Sequence, residues 1–345
     1  MNHAPQAAPG TGATARFAPR DRQRDRHGRR RRTCAALLLG LVCAAHAEDY
    51  PSKPIRLLVP LSAGGGMDTV ARAIGFKLTE SLKQTVVVDN RPGAGGSVAG
   101  ELMARAAPDG YTLLMASSTA VIYPLMYSVR DAPLRDFQPV SQVTSQPYVL
   151  VVHPSLPARS VAEFIALARA RPGQLNFASS GNGSLIHLAG ELFRVSTGTD
   201  LVHVPYKGMS AAYPDLLAGH IQFTFGSIIS VLSFLHADKL RGLGVTGRTR
   251  APTLPQTPTL NEAGVPGFDV TQWYGVLTPA ATPRPIVARL QSEIAAALKH
   301  PDTAARLASD GADAVGSTPE QFAQLLVAER DKWGQLIRRA GIRGN

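Results

Sequence analysis

Short β-rich runs alternate with helical runs along most of this chain, and the alternation restricts its fold more than any other feature. Residues 55–59, 86–88 and 111–115 are brief apolar runs typical of buried strands. Between the first two, apolar residues recur at every fourth position, which places them on one face of a helix. Strand–helix alternation at this spacing predicts parallel, doubly wound α/β sheets.

The alternation starts again near residue 148 and ends in two amphipathic helices. The further strands are expected at residues 148–152, 175–178, 201–204 and 221–225. The further helices are expected at residues 161–170, 184–195, 285–298 and 319–339. This restart indicates a second α/β block.

Two segments, residues 149–154 and 269–279, are candidate connections between the blocks. A second domain inserted into the first, with two crossovers between them, fits a clamshell binding protein. We therefore expect one lobe from residues 50–152 together with 275–345, and a second lobe from residues 153–274. A single continuous sheet is also compatible with the sequence.

The N-terminal segment has the three parts of a secretory signal peptide. A basic cluster at residues 29–32 precedes an apolar run at residues 34–45, and Ala-His-Ala at residues 45–47 is a small-x-small cleavage site. The run is shorter than the roughly 20 apolar residues that span a bilayer, although an uncleaved anchor is the alternative. We expect residues 1–47 to be removed by cleavage near Ala47 and the mature protein to be periplasmic.

Removal of this leader changes how the charge is interpreted. The full chain has 36 Lys and Arg against 25 Asp and Glu, a net charge of +11. The mature chain keeps 27 basic and 23 acidic residues, a net charge of +4, which gives no indication of nucleic-acid binding. Both cysteines, Cys34 and Cys43, leave with the leader, so the mature chain has no disulfide, thiol nucleophile or cysteine metal site.

A glycine-rich loop follows the first strand and leads into a helix: residues 60–68 read Pro-Leu-Ser-Ala-Gly-Gly-Gly-Met-Asp. Glycines let the backbone approach a ligand, and a helix N-terminus offers free N–H groups and the positive end of its dipole. The loop therefore favours an anion, but it lacks the Gly-Lys-Ser/Thr of a triphosphate loop and the spacing of a dinucleotide fingerprint. Alternatively, the glycines only reverse the chain and Asp68 only favours the first helical turn.

A second polar loop, residues 179–187, lies between a predicted strand and helix and reads Ser-Ser-Gly-Asn-Gly-Ser-Leu-Ile-His. Its serines, glycines and Asn182 form a flexible polar rim that can face a ligand. In the purely structural alternative, Ser184 caps the helix and His187 packs or forms a hydrogen bond.

Two more segments follow strands. Residues 203–208 read His-Val-Pro-Tyr-Lys-Gly, in which Lys207 can face an acidic ligand and Tyr206 can donate its hydroxyl. Residues 90–97 form another glycine-rich loop, in which Arg91 either attracts an anion or covers the loop edge. In each case a plain surface residue is the alternative.

No known catalytic arrangement accompanies these loops: the sequence has no Gly-x-Ser-x-Gly elbow, no His-Glu-x-x-His motif and no cluster of metal ligands. We therefore expect binding without catalysis and without a cofactor. An exported α/β enzyme acting on a small acid, with His187 or Asp68 as base, is the alternative. The candidate ligand-binding residues are Ser62, Ala63, Gly64, Gly65, Gly66, Asp68, Ser118, Thr119, Ser179, Ser180, Gly181, Gly183, Ser184, Tyr206, Lys207 and Gly208.

In order and spacing these segments resemble the solute receptors of tripartite tricarboxylate transporters, the Bug family. The resemblance covers essentially all of the mature chain. The matching segments are residues 50–60, 64–68, 86–114, 179–193, 203–208 and 279–290. The first loop departs from the family's Pro-Phe-x-x-Gly-Gly-x-Thr-Asp pattern, since Leu61 replaces the Phe and Met67 the Thr. These changes lie where the resemblance places the surface that determines specificity, so they leave the ligand class open.

The resemblance implies a two-lobed periplasmic-binding-protein fold of the type II-like clamshell class, with the ligand between the lobes. It implies a small carboxylate ligand, such as a dicarboxylate, a tricarboxylate, an acidic amino acid or an aromatic acid. Backbone N–H groups and ordered water would then dominate recognition. The expected partners are integral-membrane transporter subunits or a membrane sensor, and we expect a monomer. A receptor for an ABC importer is a further alternative, against which the resemblance argues.

Overall fold

The computed structural model describes residues 50–93, 96–127, 135–309 and 311–343. The predicted signal peptide and its cleavage site lie outside these residues. Within them, no helix is both long enough and apolar enough to cross a membrane.

Strands and helices alternate along the described chain. Its first part contains β1 (Ile55–Val59), α1 (Gly66–Leu82), β2 (Val86–Asn90), α2 (Ser97–Ala104), β3 (Thr112–Ser117), α3 (Ser118–Tyr127) and β4 (Phe137–Val152). The middle contains α4 (Val161–Ala170), β5 (Leu175–Ser179), α5 (Leu185–Thr197), β6 (Leu201–Pro205), α6 (Met209–Leu217), β7 (Phe223–Ser227), α7 (Ile228–His236) and β8 (Arg241–Val245). The last part contains β9 (Thr271–Pro279), α8 (Arg284–Lys299), α9 (Pro301–Ser309), β10 (Asp313–Ala314) and α10 (Pro319–Ala340).

The strands form two groups, here called sheet one and sheet two. In sheet one, β2, β1 and β3 are parallel neighbours, β9 runs antiparallel to β3, and the first part of β4 runs antiparallel to β9. In sheet two, β6, β5 and β7 are parallel neighbours, and the last part of β4 pairs antiparallel with both β7 and β8. The predicted parallel strands are present in both sheets, and the pairs formed by β4 and β9 are antiparallel additions that the sequence does not indicate.

One long strand, β4, belongs to both sheets. Its residues 137–147 pair with β9, and its residues 148–152 pair with β7. A strand whose two ends belong to different sheets must bend, and β4 has two register shifts within its first part, the kind of irregularity that bends a strand. Pro139 and Pro147, which cannot donate a ladder hydrogen bond, lie in this same part of β4.

Helices cover both faces of each sheet. In sheet one, α1 and α8 bury one apolar cluster, and α2, α3 and α10 bury another on the opposite face. In sheet two, α4 and α5 pack on one face, and α6 and α7 on the other. The long helix α10 contacts both parts, because Phe322 packs beside Trp273 of sheet one while Trp333 belongs to the core beneath α5.

Local sequence explains where the main helices begin and end. Ser160 and Ser184 each accept a hydrogen bond from the backbone N–H three residues later, so they cap α4 and α5. Thr318 begins α10 with a complete capping box that includes Gln321. Gly341 ends α10 in the left-handed conformation, with φ of 65°.

Candidate functional site

The first glycine-rich loop, residues 60–65, joins the carboxyl end of β1 to the N-terminus of α1. Residues 61–66 are exposed, and Gly65 is the N-cap without a side-chain capping bond. Gly64 has φ of 85°, a conformation that favours glycine. Because the first turn of a helix leaves its N–H groups without intrahelical partners, this loop presents donors to solvent.

Asp68 lies under this loop and holds its shape. The residue is only 4% exposed. One carboxylate oxygen accepts from the Gly64 N–H at 2.9 Å and from Arg72 Nε at 3.0 Å, and the other accepts from Asn90 Nδ2 at 3.0 Å. Burial opposes ionisation, but the hydrogen bonds from Arg72, Gly64 and Asn90 outweigh it and lower the pKa of Asp68. The predicted site residue Asp68 is thus engaged by protein groups in this structure.

The last residue of β2, Asn90, holds the first loop through hydrogen bonds. The Asn90 side chain donates to the Leu61 carbonyl at 3.0 Å as well as to Asp68. Arg91 is not a free cation, because its Nε donates to Asp89 Oδ1 at 2.9 Å. The segment at residues 90–91 therefore contributes structure, and its Arg is neutralised by a neighbouring carboxylate.

The carboxyl end of β3 contributes Ser118 and Thr119, which begin α3. Thr119 is exposed, whereas Ser118 is fully buried, and its hydroxyl has no hydrogen-bond partner within the described residues. The neighbouring Ser117 pairs with Tyr274 of β9. Tyr274 reaches the N-terminus of α1, since a Cβ atom on Gly66 would lie 3.3 Å from the Tyr274 hydroxyl oxygen.

The second polar loop, residues 180–184, joins β5 to α5. The buried Ser179 hydroxyl accepts from the Gly181 N–H at 3.1 Å. Gly183 donates its N–H to His187 Nδ1 at 3.1 Å, and Ser184 Oγ accepts from the His187 N–H at 3.2 Å. The predicted capping role of Ser184 is therefore present.

Residues 206–208 lie beside this loop. The Tyr206 N–H donates to the Ser179 carbonyl at 3.0 Å, which extends the pairing of β5 and β6 by one bond. The Tyr206 hydroxyl donates to Asp215 Oδ2 at 2.6 Å; burial and this carboxylate raise the pKa of Tyr206 to about 12. Lys207 is exposed and has no ion pair with any described residue. Gly208 is the N-cap of α6, with φ of 98°.

The pairing of β4 brings the two groups of loops to facing edges. In sheet one, Thr144 of β4 lies beside Tyr274, which lies beside the carboxyl end of β3 at Ser117. In sheet two, Tyr148 lies beside Ser227 at the carboxyl end of β7. Four residues of extended chain span about 13 Å. The carboxyl ends of both parallel strand groups therefore meet where β4 passes from one sheet to the other.

Three residues near these edges were outside the predicted set: Asn90, His203 and Tyr274. His203 Nε2 lies 2.6 Å from Ser179 Oγ. Asn90 has a sequence signal, because it lies at the end of a strand and precedes glycines. Tyr274 has none, because its place depends on the register of β9 against β3. Within the described residues, no group of three or more His, Cys, Asp or Glu side chains could hold a metal ion.

Two α/β sheets joined by a shared strand, with polar loops at facing edges, define a two-lobed periplasmic binding protein. Residues 70–342 match the tripartite tricarboxylate transporter family receptor, and the chain belongs to this family. It is 40% identical to a protein encoded in the tcbD-tcbE intergenic region of Pseudomonas sp. strain P51, over 89% of this chain and 94% of that one. It is 36% identical to Protein BugT of Bordetella pertussis, over 88% of this chain and 94% of BugT.

Solved structures agree with this assignment. Rpa4515 of R. palustris with adipate superimposes with a TM-score of 0.74 at 36% identity, covering 86% of this chain and 99% of that one. MatC of Rhodopseudomonas palustris with bound malate superimposes with a TM-score of 0.69 at 31% identity, covering 84% of this chain and 100% of MatC. The predicted Bug-family membership and two-lobed fold are confirmed. Because family and neighbours are receptors, the enzyme alternative is excluded.

Proposed function

We propose that this chain is an exported receptor that binds a small carboxylate between its two groups of loops. The observation that carries the proposal is the register of β4, which sets the first loop and residues 179–184 at facing edges. Helix N-termini at Gly65 and Ser184 begin on these edges, and both favour an anion. Exposed Lys207 adds a positive charge beside the second loop.

The proposed ligand contacts come mainly from backbone N–H groups and small hydroxyl side chains. Asp68 takes part through the loop that it holds, since its carboxylate already accepts three hydrogen bonds. The remaining contacts are Ser62, Ala63, Gly64, Gly65, Gly66, Ser118, Thr119, Ser179, Ser180, Gly181, Gly183, Ser184, Tyr206, Lys207 and Gly208.

Dicarboxylates are the first candidates for the ligand. Rpa4515 is described with adipate and MatC with malate, and both are similar to this chain along most of its length. A second carboxylate or hydroxyl on the ligand would need its own polar partners in the cleft. The buried, unpartnered hydroxyl of Ser118 is a candidate, because a ligand acceptor would satisfy it.

For the lobes, we propose residues 50–147 with 271–345 as one and residues 148–270 as the other, because residues 148–152 pair with β7 and β8 of sheet two and β9 begins at Thr271 in sheet one. These bounds differ from the predicted ones, 50–152 with 275–345 and 153–274, by a few residues at each crossover, and α10 contacts both cores. Support comes from Thr246, which joins the two connecting segments. It is fully buried. Its hydroxyl donates to the Val270 carbonyl at 2.5 Å and accepts from the Tyr148 N–H at 2.8 Å. Closure about these segments would bring both loops onto the ligand.

Family membership supports a proposal about the biological setting. We propose that residues 1–47 direct export and are removed near Ala47, and that the receptor acts in the periplasm as a monomer. It would deliver its ligand to integral-membrane transporter subunits or report it to a membrane sensor. The mass of the protein purified from the exported fraction tests the first step, and a species that retains residues 33–47 contradicts it.

Ligand binding is tested by a thermal-shift screen of small carboxylates that includes adipate and malate, followed by isothermal titration. A ligand at 100 times its Kd stabilises the folded protein by about 2.7 kcal/mol. We expect at least one dicarboxylate to raise the Tm and to be recovered chemically unchanged. If no small carboxylate shifts the Tm, the proposed ligand class is wrong.

A pair of glycine variants tests the site. Gly65 has an ordinary φ of −83°, and a Cβ there would meet only the Ser62 carbonyl oxygen at 3.8 Å, so Gly65→Val should fold. Its side chain would block approach to the loop, and we expect loss of binding. Gly100→Val is the control, because a Cβ on Gly100 meets nothing within 4 Å. Wild-type affinity in Gly65→Val would contradict the assigned site.

Lys207→Ala separates backbone recognition from charge recognition. If N–H groups and water dominate, we expect this variant to lose about 1 kcal/mol of binding free energy, typical of one net hydrogen bond. Complete loss of binding in Lys207→Ala alone would leave the site in place but contradict the backbone-dominated mechanism.

A further inference from the structure

Two histidine rings lie directly beneath the second polar loop. The rings of His187 and His203 stack with centroids 3.8 Å apart and an interplanar angle of 12°. His187 Nδ1 accepts from the Gly183 N–H at 3.1 Å, and His203 Nε2 lies 2.6 Å from Ser179 Oγ. Each ring therefore uses one nitrogen to hold a residue at one end of the loop.

These contacts restrict the protonation of the rings. A nitrogen that accepts a hydrogen bond carries no proton, so His187 is the neutral tautomer with its proton on Nε2. Two stacked imidazolium ions would also repel each other at this separation. Protonation of His187 at Nδ1 would place two donors against each other and release the Gly183 N–H.

We propose that His187 and His203 are positioning residues that hold the loop at residues 179–184 in its ligand-receiving form, and that His187 does so only as a neutral imidazole. Neither residue is among the proposed ligand contacts; they act through Gly183 and Ser179. The inference rests on the proposed carboxylate site for its effect on affinity, but its effect on the loop stands without a ligand.

Two acidic and two basic side chains lie around His187. On its own helix His187 faces Glu191, which is ion-paired with Arg194. A cavity of about 380 Å³ beside His187 is also lined by Asp200 and, from the C-terminal segment, Arg343. Burial lowers the pKa of His187, although Glu191 opposes the shift.

His203 lies between His187 and the Phe177 ring, whose centroid is 4.9 Å away. Burial and the neighbouring His187 lower the pKa of His203 to about 3. Both rings are therefore neutral at pH 7, and the loop contacts they make are complete.

The ligand-free test is hydrogen exchange of the Gly183 amide, measured by NMR at pH 7. His187→Ala removes the acceptor, and we expect exchange to accelerate about fivefold, the factor equivalent to one net hydrogen bond. His187→Asn puts an amide oxygen near the position of Nδ1 and should restore protection. The matched control is His153→Ala, which removes a similar N–H···Nδ1 bond to Ser155 in a different loop and should leave Gly183 unchanged.

The ligand test uses isothermal titration with adipate on the same variants. It adds His203→Gln, whose side-chain amide can occupy the position of His203 Nε2 beside the Ser179 hydroxyl. We expect a roughly tenfold loss of affinity in His187→Ala and less than twofold in His187→Asn and His203→Gln. If wild-type protein does not bind adipate, that result counts against adipate as the ligand, and the exchange data alone decide the positioning role.

Lowering the pH distinguishes a positioning role of His187 from a role in packing alone. When the pH is lowered, wild-type protein should lose protection at Gly183 as His187 protonates, whereas His187→Asn should keep it. The proposal is overturned if His187 titrates at its ordinary pKa while Gly183 protection is constant, or if His187→Ala exchanges Gly183 as slowly as wild type.

Discussion

Replacing Asp68 tests how the first glycine-rich loop is held. Its carboxylate accepts hydrogen bonds from Gly64, Arg72 and Asn90, and the residue is only 4% exposed. Asp68→Ala removes all three acceptor contacts at once. The variant should therefore loosen the loop and lower the free energy of unfolding.

The three released donors do not contribute equally. A hydrogen bond to a charged group contributes about 1.5–3 kcal/mol to stability. The sum over three such bonds is therefore an upper limit for the loss of stability in Asp68→Ala. The Arg72 side chain is 55% exposed and Gly64 is exposed, so both can bond to water instead. Asn90 keeps its bond to the Leu61 carbonyl. We therefore expect a net loss of about 2 kcal/mol at pH 7, close to the value of one buried charged bond.

Urea unfolding followed by tryptophan fluorescence measures this loss, because Trp273 and Trp333 are both buried. Arg72→Ala, which removes a half-exposed partner, should cost less than about 1 kcal/mol. Asp68→Asn keeps the volume but turns one acceptor into a donor that faces other donors, so it should not rescue. An Asp68→Ala protein within about 0.5 kcal/mol of wild type would refute this account of the loop.

The same contribution should depend on pH. Because the hydrogen bonds lower the pKa of Asp68 in the folded protein, its stabilisation is complete above the ordinary value of 3.8 and is lost as the pH falls through the lowered folded value. The difference between wild type and Asp68→Ala should therefore shrink below about pH 4. A difference that stays constant down to pH 2 would contradict the ionic origin.

Three further predictions use the same unfolding assay. Thr246→Val removes two buried hydrogen bonds and should cost about 1–3 kcal/mol; an unchanged stability would contradict its joining role. Gly190→Ala should cost at least about 1–3 kcal/mol, because the new Cβ would lie 2.1 Å from Phe177, whereas Gly100→Ala should be neutral or stabilising. Since the pKa of His203 is lowered to about 3, wild type should lose stability relative to His203→Gln by about 1.4 kcal/mol per pH unit as the pH falls from about 6 to about 3.

The sequence predicts those elements whose signals are local. Helix α4, at Val161–Ala170, and strand β1, at Ile55–Val59, have the predicted bounds, because an apolar period and a capping serine or a buried run define them. The glycine-rich loop before α1 is also visible from sequence alone. The glycines of this loop and the apolar period of α1 can be recognised from neighbouring residues alone.

Other elements were missed because tertiary contacts override their local signals. Helix α3 contains Pro124 and was not predicted, and strand β8 reads Arg-Gly-Leu-Gly-Val, which has little strand propensity. The first part of β4 contains two prolines, so only residues 148–152 were recognised. The pairing of β4 with β9 and β7 joins residues more than 70 positions apart, and no local pattern gives such a register.

The candidate site also has one part that local sequence predicts and one part that depends on tertiary contacts. The second part is the one that concerns selectivity among ligands. Backbone N–H groups at helix N-termini attract any carboxylate and follow from local sequence. Discrimination among carboxylates requires side chains that contact the rest of the ligand. Two side chains are candidates for this role: Leu61 is 48% exposed on the first loop, and the Tyr274 hydroxyl reaches the N-terminus of α1 from the distant strand β9. If the proposed site is right, a change at either position should alter which carboxylate binds without removing the contacts from backbone N–H groups.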